Sequence, residues 1–158
     1  MPSRRFSRIR TRRRQRRRAL TLLIVAIGLV AALGLCGITM DIGLVCVART
    51  ELQRSADAAA LAAVSVMEDI WDLNENPIPY YVNCEARNQA VKYAGLNPCR
   101  NTHPVLPRND SNAPNGDLVL GHYTSATDSF DPYSTKYNSA ELLLRRDDIC
   151  NGPLPLFF

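Results

Sequence analysis

The sequence has no aspartate or glutamate before Asp41, and the 22 residues from Ala19 to Met40 carry no charge at all. No proline occurs between Arg4 and Asn76, and no glycine between Gly43 and Gly95. Between Gly43 and Asn74, where neither occurs, nothing is chemically suited to break a helix. Histidine is equally sparse: His103 and His122 stand far apart, each as an isolated surface residue. There is no H-E-x-x-H, no G-x-S-x-G and no phosphate-cradling glycine loop, and no Cys/His spacing suits zinc. Serines and acids are present but unclustered, and the pairs Asp128/Asp131 and Asp147/Asp148 read as solvated loop acids. These absences leave no catalytic constellation, no metal site and no cofactor to expect.

The charge that is present is unevenly spread. Ten of the nineteen basic residues are arginines within Arg4–Arg18, whereas from Ala19 onward nine basic residues face fifteen acidic ones. The chain is therefore a basic tail on an acidic body. As a helix, the uncharged run rises ~1.5 Å per residue and spans about 33 Å, enough for a hydrocarbon core of ~30 Å. A transmembrane helix is expected at 19–40. Arg12, Arg13, Arg14, Arg16, Arg17 and Arg18 act as its topogenic flank, holding the N-terminus in the cytoplasm of a bacterial inner membrane and placing the body outside. Two alternatives stay open. The arginine run also suits a nucleic-acid or lipid-binding arm, although no aromatic or glycine interleaving accompanies it. Ala32-Leu33-Gly34 loosely fits a cleavage site, which would release a secreted or envelope binding protein.

The organisation follows from these features: a basic tail over 1–18, a membrane helix over 19–40, an alanine-rich stalk helix over 41–73 and a small exoplasmic region over 74–158. The stalk continues the membrane helix to about Asp72, roughly 80 Å in all. At ~100° per residue, Asp41, Ala48, Leu52, Ala59, Val66 and Ile70 share one face, opposite Thr50, Arg54, Asp57 and Glu68. A seam of alanine allows close helix approach, and Gly28-x-x-x-Ala32 offers a similar notch within the membrane. Asp41 would meet a donor from a neighbouring helix at the membrane surface. Beyond "NENPIPYY", a second helix fits Asn83–Ala94. A strand fits Gly116–Thr124, then a connection, then an antiparallel mate at Asn138–Asp148. The fold class is α+β: a long transmembrane-plus-stalk helix, a second short helix and a small antiparallel hairpin. Of five cysteines, Cys36 and Cys46 are apolar fillers. Cys84, Cys99 and Cys150 lie on the oxidising side, where Cys84 and Cys99 are the nearest disulfide candidates.

The stretch "MDIGLVCVARTELQRSADAAALAA" resembles the N-terminal segment of the TadE/TadG-like pilus-assembly family of the tight-adherence (Flp) system. The residues that carry the likeness are Asp41-Ile42-Gly43, then Arg49, Leu52 and Gln53, then Asp57 with Ala58, Ala59 and Ala60. "GDLVLGHY", "RRDD" and "NGPLPLFF" resemble a subgroup whose chains continue past the phenylalanines, so a fragment is expected. The sequence departs from the family at Ala19, where glycine is common. It also has no Gly followed by glutamate five residues on, so pilin processing is not implied. The likeness does not extend to a von Willebrand A-like domain. What it implies is a non-enzymatic, membrane-anchored partner of pilus-assembly or envelope proteins in a homo- or hetero-oligomer. It implies neither a nucleic acid nor a small-molecule substrate. The motif residues would set helix packing and register.

Overall fold

The computed structural model describes residues 4–70 and 79–157, with side chains described over 19–68 and 79–157. Helix α1 spans Arg4–Ile70 without interruption, as the lack of proline demands. Helix α2 spans Tyr80–Leu96. Three strands follow: β1 Leu118–Thr124, β2 Ser129–Asp131 and β3 Ser139–Leu142. The architecture is α+β, with the strands in one antiparallel sheet of order β2-β1-β3. The stop expected near Asn74 falls on residues outside those described.

The chain divides into two compact units, Met1–Leu44 with Leu156–Phe158, and Val45–Pro155. The larger unit is built around the alanines. Ala59, Ala63 and Met67 of α1 join Val82, Ala86, Ala90 and Ala94 of α2 in one buried core. On each helix these buried positions recur every four residues, a row that runs along one face. Contacts at the helix ends run in opposite chain directions. Ser55 Oγ donates to Ala94 O at 3.0 Å, and Cys99 Sγ lies 3.5 Å from Ala48 O. The α1 and α2 rows are thus antiparallel. Methyl side chains on both bring the backbones close enough for Ser55 to reach a main-chain carbonyl of α2.

Leu106, Leu118, Leu120 and Leu144 complete this core from loop and sheet. Strand β1 is central, so Leu118 to Gly121 are buried without alternation, while Tyr123 and Thr124 emerge into solvent. Leu118 pairs with Leu142 and Gly121 with Ser139, while His122 pairs with Asp131. Gly121 is required by close approach: a Cβ there would lie 2.5 Å from Phe130 Cζ and 2.7 Å from Asp131 O.

Three sequence expectations change. Helix α2 starts earlier than Asn83, because Pro79, with φ −60°, sets the entry and its carbonyl accepts from Val82 and Asn83 N–H. The connection between the two expected strands contains β2, a three-residue strand closed by a turn with Asp128 at φ 50°. The mate at Asn138–Asp148 pairs only over Ser139–Leu142, because Arg145 and Arg146 leave the ladder to bind elsewhere.

Candidate functional site

The residues singled out from sequence separate into three settings. The first is the end of the apolar run. Leu20, Leu22, Leu23, Ile24, Val25 and Ile27 are all exposed, as are Leu33, Leu35, Ile38 and Met40. This helix is long and apolar enough to cross a membrane, and none of its most apolar window is buried by protein. Gly28 and Gly43 have nothing within 4 Å of an added Cβ. Asp41 is half-buried, and its Oδ1 accepts the backbone N–H of Phe157 at 2.7 Å. The donor it meets therefore comes from the same chain, where the sequence suggested a neighbour. The arginines Arg12, Arg13, Arg14, Arg16, Arg17 and Arg18 lie on α1, and their side chains fall outside those described.

The second setting is the seam. Ala48 and Ala59 are buried, and Leu52 and Val66 pack partly buried against the core. Ala58 and Ala60 flank it, half-buried. Of the face that phase arithmetic chose, Ala59, Leu52 and Val66 pack in the core shared with the chain's own α2, Asp41 does not, and the side chain of Ile70 lies outside those described. Ser55, Ala63 and Met67 are buried on α1 as well. They went unnoticed because a seam chosen to contain Asp41 is rotated slightly from the face that α2 covers.

The third setting is an exposed stripe of α1. Arg49, Gln53, Asp57 and Leu61 recur every four residues and are all exposed. Gln53 Nε2 donates to Asp57 Oδ1 at 2.8 Å, a one-turn pair that fixes both side chains on the surface. Leu61 is 72% exposed, an apolar end to a polar stripe. So the motif divides. Its alanines and Leu52 build the fold, while Arg49, Gln53 and Asp57 are displayed. Leu61 was legible only as part of the alanine-rich run, since its orientation depends on knowing which face α2 takes.

A separate polar cluster holds the sheet to α2. Arg87 is 1% exposed. Its Nε donates to Asn83 Oδ1 at 2.7 Å. One terminal nitrogen reaches the carbonyls of Arg108, Asn109 and Leu118, and the other reaches Asn112 Oδ1 at 2.7 Å. Burial lowers its pKa from the usual arginine range. Asn109 and Asn112, both at positive φ, tie the loop to Leu118 and Leu120 of β1. Asp117 is buried and ion-paired with Arg145 at 2.7 Å, which raises the Arg145 pKa. Arg146 binds the carbonyls of Cys99, Gly152 and Pro153. These arginines fasten the unit together through bonds to its own carbonyls and side chains.

All five cysteines are free thiols, so the Cys84–Cys99 pairing weighed from sequence is not formed. Cys99 is buried against α1 while Cys84 sits half-buried on α2, each committed to its own packing. Among the described residues, no group of three or more His, Cys, Asp or Glu side chains could hold a metal ion. His103 is exposed, with Nδ1 2.7 Å from Gly95 O.

A long apolar helix carrying a small α+β module defines the class: a membrane-associated protein with a displayed helix stripe. Residues 19–66 match the family described as putative Flp pilus-assembly TadE/G-like, so the segment that resembled that family is TadE/G-like. No curated protein and no solved structure matches the chain. The match and the apolar helix together fit a membrane protein of pilus assembly.

Proposed function

We propose that this chain is a single-pass inner-membrane component of Flp-type pilus assembly that acts through protein–protein contacts and carries out no catalysis. In this reading Arg4–Arg18 stay in the cytoplasm, 19–40 spans the bilayer, and the α+β module works outside. The observation that carries it is the coincidence of the family match with both the apolar helix and the exposed motif stripe. Structural needs account for the buried alanines. They do not account for Arg49, Gln53 and Asp57, whose side chains are exposed on α1. Such a stripe, rigidly held and ending in an exposed leucine, suits a helix-packing partner with a complementary polar rim and apolar centre.

The test is in-cell crosslinking. With a photoreactive phenylalanine analogue at Leu61, irradiation in a pilus-bearing host should give adducts with pilus-assembly proteins. The same analogue at Ser129, in the exposed β2 strand, serves as the control and should give none of them. Equal adduct patterns at both positions, or no adduct at Leu61, would contradict the reading.

A further inference from the structure

We infer that the Leu156–Phe157 segment is a second membrane contact, clipped by Asp41 to the point where the spanning helix leaves the bilayer. This rests on the reading of 19–40 as a membrane span. Asp41 follows Met40 directly, so it stands ~1.5 Å along the axis from the last uncharged residue of the run. The Phe157 N–H bonded to its carboxylate at 2.7 Å is held at that same level. Leu156 and Phe157 belong to the same compact unit as the apolar helix.

The exposure of these side chains names the occupant. Phe157 is 76% exposed and Leu156 is 46% exposed. On the helix beside Asp41, Ile38, Met40 and Ile42 are each more than half exposed. An exposed phenylalanine is costly in water, at ~25 cal/mol for each Å² of apolar surface. At this depth the surrounding medium is the headgroup–acyl boundary, where amphipathic segments bury their apolar side chains about 5–10 Å deep. Asp41 resolves the conflict that this creates for the main chain. A backbone N–H entering the interface needs an acceptor, and the carboxylate supplies one without sheet or helix. The acid at the end of the apolar run thus acts as a main-chain clip. It converts one spanning helix into a two-point attachment, the second point being Leu156 and Phe157.

The full chain in phosphatidylcholine–phosphatidylglycerol vesicles tests this with tryptophan fluorescence. Trp71→Phe removes the native reporter, and Phe157→Trp places a new one. A second chain carries Leu22→Trp as the reporter of the span. Lipids brominated near the headgroup end of the acyl chain should quench the reporter at position 157, as a side chain at a shallow interfacial depth of ~5–10 Å requires. Adding Asp41→Ala should abolish that quenching and shift the emission to longer wavelength, leaving the Leu22→Trp reporter quenched as before. Water-like emission at position 157, with the Leu22→Trp reporter quenched, overturns the inference and spares the membrane reading. Emission shielded from aqueous iodide but insensitive to brominated lipid also overturns it, by placing the segment against protein. Quenching that persists in Asp41→Ala overturns the role of the clip. An unquenched Leu22→Trp reporter overturns the membrane reading itself and this inference with it.

Discussion

Replacing Arg87 by methionine should destabilise the α+β unit severely, and the structure allows the loss to be worked out. The side chain makes five hydrogen bonds. Three of its acceptors keep another donor: Leu118 O has Asn109 Nδ2, Asn109 O has the Asn112 N–H, and Asn112 Oδ1 has the Leu120 N–H. Arg108 O and Asn83 Oδ1 lose the donor that Arg87 gave them. Both lie at part-buried positions, where water replaces some of what is lost, so the cost falls toward the low end of ~1–3 kcal/mol per orphaned acceptor, about 2–3 kcal/mol in all. Methionine also removes the desolvation cost of a buried cation, which pulls the outcome toward the lower half of that range. For a unit of this size, the loss corresponds to a Tm roughly 10 °C lower. The assay is thermal unfolding of the full chain in detergent, followed by near-ultraviolet tyrosine dichroism. Alkylation of a chain retaining only Cys99, which is buried when folded, gives a second readout. Arg87→Lys should also fail, because one ammonium cannot reach acceptors spread from Asn83 to Leu118. A methionine variant melting within about 2 °C of the parent would refute the reasoning, since no orphaned acceptor could then be buried.

Further expectations follow from packing and charge. Ala90→Leu should overpack the α1–α2 contact and cost about 1–3 kcal/mol or more, whereas Leu61→Ala, on the exposed stripe, should stay within ~0.5 kcal/mol; chemical denaturation compares them. Gly121→Ala should destabilise the sheet measurably, because its Cβ would strike the Asp131 carbonyl as well as the Phe130 ring, and Phe130→Ala should not rescue it. Asp147 accepts the Cys150 and Ile149 N–H groups, which hold its pKa below the ordinary 3.8. Its folded-state pKa is depressed, so its stabilising effect is present above the unfolded value and fades as pH falls through the folded one. The Tm difference between the parent and Asp147→Ala should therefore be full at neutral pH and shrink below pH 3.8.

Much of the helical half was legible in the sequence, for reasons visible in particular residues. The lack of proline and the uncharged run gave α1, and the phase of Ala48, Leu52, Ala59 and Val66 gave its buried face. The partner of that face was not legible. Alanine at a seam says that something comes close, and the seam alone does not say whether that is another molecule or α2. Arg87 gave no signal, since an arginine among the polar residues of a short helix looks solvated until the loop from Arg108 to Asp117 folds over it. The same holds for β2, where Ser129-Phe130-Asp131 alternates over too few residues to stand out as a strand. Asp41 was conspicuous as a lone acid, yet its acceptor role depends on a main-chain N–H 116 residues away.

The central claim is that 19–40 spans a membrane, with the arginines on one side and the α+β module on the other. Single-cysteine chains test it most directly in intact cells whose outer membrane has been made permeable. A membrane-impermeant maleimide should label Ser125→Cys, in the exposed β1–β2 turn, at once. It should label Ser7→Cys, within the arginine run, only after the inner membrane is lysed. Equal labelling of both before lysis, or labelling of Ser7→Cys alone, would contradict the account.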